Sequence, residues 1–313
     1  MSLAGRLVYH LWHRHYGPLR DVVREGGFRQ RQRTETGRRE MIAAAHRLVP
    51  PSGDSHQAPV SLVLLTGRNY WYQTAFCLWT FAHHSRRPLA PFILDDGTLS
   101  PEHRSSLLRL FPATRFSDER HIVERLDSVL PVSRFPTLRA RRLEFPLLRK
   151  LTDVHAGLAG WRLFIDSDLL FFRRPDFLLS WHDHPQRPLR GEDLDNAYGY
   201  SLELLAELAG RPVPERVNTG TLGLRSDAID WDRLEFWCRE LQTRVGPHYY
   251  QEQALVALLL AGVDCDVPPP ADHVVCPQPP EALACRAVMH HYVAQSKRWY
   301  FQHNWRHALA ASP

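Results

Sequence analysis

Lysine is almost missing from this chain. Of its 39 basic residues only Lys150 and Lys297 are lysine, and the other 37 are arginine. A lysine ammonium is a compact point charge that the planar guanidinium fork does not always replace. The two that survive are therefore worth locating, and both fall beside motifs described below. The chain has no run of about 18 apolar residues, so the sequence offers no membrane-spanning helix. Its amino terminus has no positive-then-apolar pattern with a cleavage site. These absences lead to the expectation of a cytoplasmic protein, soluble or peripheral at the inner face of a membrane. The five cysteines, Cys77, Cys238, Cys265, Cys276 and Cys285, form no C-x-x-C pair. That argues against a disulfide framework or a zinc knuckle and fits a reducing compartment. No helix-turn-helix, zinc-finger or RNA-motif pattern is present, so specific nucleic-acid binding is not expected.

What is present points elsewhere. A chain of 313 residues with 44% hydrophobic and 11% aromatic content can bury the core of one large α/β catalytic domain. Its formal net charge of +5 favours anionic partners such as nucleotides, phosphates or acidic lipid. Residues 1–50 read as a basic helical arm. Leu3, Leu7, Val8, Leu11 and Trp12 recur at helical spacing beside Arg6, His10, Arg14 and Arg20, a pattern that can give peripheral membrane contact through residues 1–20. Arg29–Arg39 reads as a solvated helix or linker. Pro50-Pro51-Ser52-Gly53-Asp54 marks a boundary, and residues 51–313 form the main domain.

From Val60 the chain alternates strand and helix. Val60–Leu65 and Pro91–Leu94 read as strands, and Trp71–His84 and Pro101–Leu110 as helices, the latter capped by Ser100. That alternation predicts a Rossmann-like, mostly parallel sheet flanked by helices, with ligands at the carboxyl ends of its strands. Thr66–Tyr70 and Asp95–Thr98 then share one rim. Asp95-Asp96-Gly97-Thr98 resembles the D-x-D-G-T motif of haloacid-dehalogenase-type phosphatases. The nucleophile position is Leu94, however, so no aspartyl-phosphate can form.

The most informative stretch is Trp161–Pro175. A bulky run ends abruptly in Asp166-Ser167-Asp168, two carboxylates that a kinked strand end can aim at one hard divalent ion, Mn²⁺ or Mg²⁺. By itself Asp-Ser-Asp also reads as a solvated turn. Leu147–Val154 reads as a helix that can bring Arg149 or Lys150 over a diphosphate. Trp181–Asp195 reads as a loop, in which His182, Asp183 and His184 are more readily surface groups than a metal cluster. Val217–Leu224 reads as a strand in which Gly220 and Gly223 allow close approach, and Asn218 offers both donor and acceptor to sugar hydroxyls. Asp230–Thr243 is a helix with Leu234, Trp237, Cys238 and Leu241 inward. Tyr250–Leu260 is a helix that opens with polar Gln251-Glu252-Gln253. Asp264–Glu281 reads as irregular. In the stretch 288–301, His291 can complete an ion site and Lys297 can meet phosphate oxygens.

Four of these stretches, in this order between Val60 and Trp299, together resemble a GT-A-fold glycosyltransferase. They are most similar to family 8, the glycogenin and lipopolysaccharide-galactosyltransferase type. The D-x-D is Asp166-Ser167-Asp168, the N-x-G segment is Asn218-Thr219-Gly220, and the Asp-Gln pair stands as Glu252-Gln253. The closing H-F/Y-x-G-x-x-K-P-W stands as His291 to Trp299, with Ala294 for the glycine and Arg298 for the proline. The acid usual in the turn after the first strand is Gly67. These departures mark a divergent relative, in which donor identity and stereochemistry do not transfer.

The resemblance implies a metal-dependent transfer of a sugar from a nucleotide diphosphate sugar, a UDP-sugar being favoured. The acceptor would be the hydroxyl of a glycan, a lipid-linked sugar or a small molecule. It implies Asp166, Asp168 and His291 as metal ligands. It implies Tyr70, Asp95, Lys150, Asp166, Gly220 and Lys297 on the donor side, and Asn218, Glu252 and Gln253 in the catalytic pocket. Two other classes stay open: a metal-dependent sugar nucleotidyltransferase, for which Thr66-Gly67-Arg68 is a thin phosphate loop, and a non-catalytic relative that binds glycans or a partner.

Overall fold

The computed structural model describes residues 27–52 and 56–311. The expected helix over Leu3–Trp12, and with it the contact through residues 1–20, lies outside the described residues. The first helix, α1, is Phe28–Ala45. Its polar first half is solvated, but Met41, Ala44 and Ala45 are buried. They share a core with Trp71, Tyr300 and Trp305.

From Val60 the elements follow as β1 (Val60–Thr66), α2 (Trp71–Ser85), β2 (Leu89–Asp95), α3 (Pro101–Leu110), β3 (Arg115–Phe116), α4 (Glu119–Val129), α5 (Pro136–Glu144) and α6 (Arg149–His155). Next come β4 (Trp161–Ile165), β5 (Leu169–Phe171), α7 (Asp176–Asp183), β6 (Leu189–Glu192), α8 (Leu202–Ala209), β7 (Val217–Arg225), α9 (Trp231–Arg244) and α10 (Gln251–Leu259). The chain closes with β8 (His273–Val275), α11 (Pro279–Ala284), β9 (Met289–His291) and a helical run, α12, over residues 297–310 with a π segment at Tyr300–Asn304. Caps set the helix starts. The Ser100 side chain accepts from the His103 N–H while the His103 ring answers the Ser100 N–H, and Asp118 and Asp230 cap α4 and α9.

The six-stranded sheet has the order β3-β2-β1-β4-β7-β6. Strands β3, β2, β1 and β4 are mutually parallel, and β7 runs antiparallel to both β4 and β6. Alternate residues feed two cores. Leu62 and Leu64 face α1, α2 and α12, while Val63 and Phe164 face α4, α6 and α9. This period of two explains why the strands read as continuous apolar runs, since a parallel sheet is covered on both faces. A second sheet, β5-β9-β8, stands beyond β4.

Two expectations are corrected. Trp181–Asp195 is not a loop: it holds the end of α7 and all of β6, because Leu178, Leu179 and Trp181 bury one helix face beneath a polar outer one. Asp264–Glu281 is not wholly irregular, because His273–Val275 pairs in parallel with Met289–His291. Among the described residues no helix is long and apolar enough to cross a membrane.

Candidate active site

The site lies where the two sheets meet. Asp166 extends the β4 ladder, its N–H donating to the Gly220 carbonyl at 2.8 Å. The backbone then turns at Ser167, and the Asp168 carbonyl accepts from the Tyr292 N–H at 3.0 Å, already within the small sheet. Each carboxylate is thus fixed by a different sheet, which holds the i, i+2 pair in one place. His291 on β9 faces Leu169 in register. Its Nε2 is 3.3 Å from Asp168 Oδ1 and 3.7 Å from Asp166 Oδ2. Ligand atoms of Asp166, Asp168 and His291 all lie within 4.8 Å of one another, and among the described residues no other His, Cys, Asp and Glu group does this. His182, Asp183 and His184 in particular do not: His182 Nε2 accepts from the Ser61 N–H, and Asp183 pairs with Arg87.

Gly220 makes the approach of β9 possible. A Cβ at that position would stand 2.3 Å from the His291 ring. Gly67, the departure in the first turn, has a similar explanation. A Cβ there would stand 2.0 Å from the Asp96 carboxylate. A carboxylate is therefore present on that rim, supplied from the end of β2.

Both lysines are in the cluster. Lys150 Nζ is 2.7 Å from Asp166 Oδ1, and Lys297 Nζ is 2.8 Å from Asp168 Oδ2. Lys150 is buried on the Phe164 ring, 4.9 Å from its centroid, whereas the Lys297 side chain is one-third exposed. Burial opposes both charges, but the facing carboxylates outweigh it and raise both pKa values. Burial likewise opposes charge on Asp168 and His291. The Lys297 and His291 partners nevertheless hold the Asp168 carboxyl far below its usual range, and Asp168 raises the pKa of His291.

Glu252, in the first turn of α10, is the unsaturated member. One oxygen accepts from the Thr219 hydroxyl at 3.0 Å, and the other is buried with no partner. Burial pushes its carboxyl up to about 7; Asp166 adds to this while Lys150 and the Thr219 hydrogen bond oppose it.

The other expected residues take edge positions. Asn218 donates to Asp193 at 3.0 Å and accepts from the Gly220 N–H at 2.9 Å, so it shapes the strand at Gly220. Gln253 donates to the Ala197 carbonyl at 2.8 Å. Tyr70 is half exposed on the rim, close enough to bear on Lys297. Asp95 is two strands from Asp166, and its carboxylate is already committed. It accepts from the N–H groups of Gly97, Thr98 and Leu99 and pairs with Arg104 at 2.5 Å. It holds the rim loop in shape. Sequence reasoning missed Thr219, Asp193 and Tyr249. Thr219 and Asp193 act only through long-range partners. Tyr249 is exposed and lies within range of Asp166 and Lys150, and only its place before the polar start of α10 could have drawn notice.

No protein-family model and no curated protein matches the sequence. Solved structures do. Mouse xyloside xylosyltransferase 1 in its apo form aligns over 76% of this chain and 99% of its own, with TM-score 0.51 and 12% identity. The galactosyltransferase LgtC, solved with donor and acceptor sugar analogs, aligns over 80% of this chain and 95% of its own, with TM-score 0.52 and 13% identity. The fold is thus that of the GT-A glycosyltransferases.

Proposed function

We propose that the protein is a metal-dependent glycosyltransferase. It moves a sugar from a nucleoside diphosphate sugar, with uridine the favoured base, to a hydroxyl acceptor. The observation that carries this reading is the Asp166–Asp168–His291 cluster at the carboxyl end of the parallel sheet, with one lysine on each carboxylate. Two carboxylates and one imidazole suit Mn²⁺ and, with more water in the shell, Mg²⁺. The unpartnered Glu252 oxygen beside them fits a pocket that is completed by something bound.

A bound divalent ion supplies positive charge that stabilises a departing diphosphate. The chain's own residues do the rest. Lys297 has the exposure to turn from Asp168 to a phosphate oxygen. Lys150, fixed by burial, pairs with Asp166 at 2.7 Å and orients it. Gly220 leaves the room in which His291 holds its ring. Glu252 faces the acceptor side, where its free oxygen can orient a hydroxyl, and where in the ionised form it can take a proton. Exposed Tyr249 and Tyr250 flank the start of α10 and offer aromatic faces to a sugar ring. This supports a glycan or other sugar-bearing acceptor.

Calorimetric titration of UDP and of GDP, each with and without Mn²⁺, tests the reading. Binding of one nucleotide only when Mn²⁺ is present is expected, with UDP the tighter. Absence of binding by either nucleotide in folded protein overturns it.

A further inference from the structure

At the opposite end of the same sheet lies a cavity of about 630 Å³. Its floor is the amino-terminal part of β1, β2 and β4, on the face that α4 and α6 cover further along. Ser61 and Ala90, both small, oppose each other in register. Arg162 precedes by two residues the Phe164 that pairs with Val63, so it stands across from Ser61. Arg115 is opposite Phe92 on the far side. Three inter-strand steps, about 14 Å, and an offset of two residues along the strands, about 7 Å, separate the backbones of Arg115 and Arg162. Both side chains line the space over the small floor.

The charge of this cavity is unbalanced. Arg125 also lines it, beside His121 and a His182 ring whose Nε2 accepts from the Ser61 N–H, and among the described residues the only carboxylate in the lining is Asp118. Asp118 already caps α4 by accepting from the Arg120 and His121 N–H groups. Arg125 donates to the carbonyls of Ala156 and Asp153. Arg115 and Arg162 make no side-chain hydrogen bond or ion pair among the described residues, and Arg162 Nε is buried without a partner. Burial and then the neighbouring Arg115 both press against the Arg162 charge. Elsewhere in the fold buried guanidinium groups find carboxylates, as Arg87 does in Asp183 and Arg142 in Asp153.

We propose that this cavity binds a phosphate-bearing small molecule, its phosphate held between Arg115 and Arg162 and its apolar part against Phe116 and Trp161. Two guanidinium forks converging from opposite sides offer more N–H donors than one planar carboxylate accepts, and they suit a tetrahedral anion. The volume fits a ligand of mononucleotide or sugar-phosphate size. Asp166 follows Arg162 by four positions, about 13 Å along the strand direction. This site is therefore distinct from the carboxylate cluster and does not depend on the activity proposed for it.

The test is titration of the full chain with inorganic pyrophosphate and with inorganic phosphate, in the absence of divalent metal, followed by calorimetry and by tryptophan fluorescence from Trp161 and Trp181. Pyrophosphate is expected to bind at one site that survives Lys297→Ala and weakens about tenfold or more in Arg162→Gln. Arg115 is exposed, so Arg115→Gln leaves the core untouched and gives the same answer should Arg162→Gln misfold. Binding that ignores both arginine variants, binding that is lost in Lys297→Ala, or no binding up to about 10 mM pyrophosphate overturns the proposal.

Discussion

Two charge clusters in this protein differ in how fully protein groups match them. Arg142 and Asp153, tying α5 to α6, are 2% and 1% exposed. They form a bidentate pair with distances of 2.6 and 2.7 Å. Glu119 takes a remaining Arg142 donor, and the Thr152 hydroxyl donates to Asp153. Every strong group there is matched by protein. The cluster of Asp166, Asp168, His291, Lys150, Lys297 and Glu252 also buries charge, but it leaves a Glu252 oxygen unmatched, and its Asp166 and Lys297 side chains stay 24% and 34% exposed. Burial of charge alone therefore does not mark a functional site. A saturated cluster stabilises, whereas an unsaturated one is arranged for something that comes and goes.

Breaking each cluster at a carboxylate gives opposite results if that distinction holds. Asp168→Ala is expected to lower metal-dependent turnover about 10³-fold while the protein stays folded, as judged by circular dichroism and urea unfolding. Asp153→Ala leaves the Arg142 charge buried without its main partner. It is expected to cost about 3–5 kcal/mol of stability in urea unfolding, with turnover per folded molecule unchanged. Full turnover in folded Asp168→Ala, or an Asp153→Ala protein as stable as the parent, removes the contrast.

The unmatched carboxyl sharpens it. The folded-state pKa of Glu252, about 7, is above its ordinary 4.5. Below the ordinary value both folded and unfolded chains hold the proton, and its contribution to stability is complete. As pH rises from there to about 7 the unfolded chain releases the proton while the folded one keeps it, so that contribution is lost, and it is gone above the folded pKa. Glu252→Gln has no proton to lose. Relative to the parent it is expected to gain roughly 2–3 kcal/mol between pH 4.5 and pH 8, read by urea unfolding at both. A difference that stays flat with pH would show that Glu252 is as well matched as Asp153.

How much of this was legible depends on the range of each signal. Asp166-Ser167-Asp168 was legible because a strand that ends in two carboxylates is a local event, and the helix at Pro101–Leu110 was legible because Ser100 and Pro101 announce it. The scarce lysines were a compositional signal, and both landed on the carboxylates. The small sheet was not legible, since β5, β8 and β9 are three residues each and are defined only by their pairing, which for β5 and β9 spans more than 100 residues of chain. The partners of Asp95 were hidden for a related reason. Its type and its place at a strand end suit ligand binding, but its own loop and Arg104 take its oxygens, and that cannot be read without the fold. The burial of Met41, Ala44 and Ala45 was hidden by the polar first half of α1.

Gly220 offers the finest test of the comparison, because it changes the unsaturated cluster without touching a charge. A methyl group there meets the His291 ring at 2.3 Å, so the ring must move away from Asp166 and Asp168. The φ of Gly220 is not in the left-handed region, so alanine brings crowding without backbone strain. The ring cannot shift far, since β9 is paired on both sides, by β5 and by β8. Gly220→Ala is therefore expected to weaken Mn²⁺ binding about 10- to 100-fold, the usual effect of disturbing a ligand's support. Arg142–Asp153 lies outside this contact, so the loss in stability stays at the level of an overpacked side chain, about 1–3 kcal/mol. Calorimetry with Mn²⁺ beside a urea melt separates the two. Unchanged metal affinity in folded Gly220→Ala would mean that His291 is a neighbour of the carboxylates and not a third ligand.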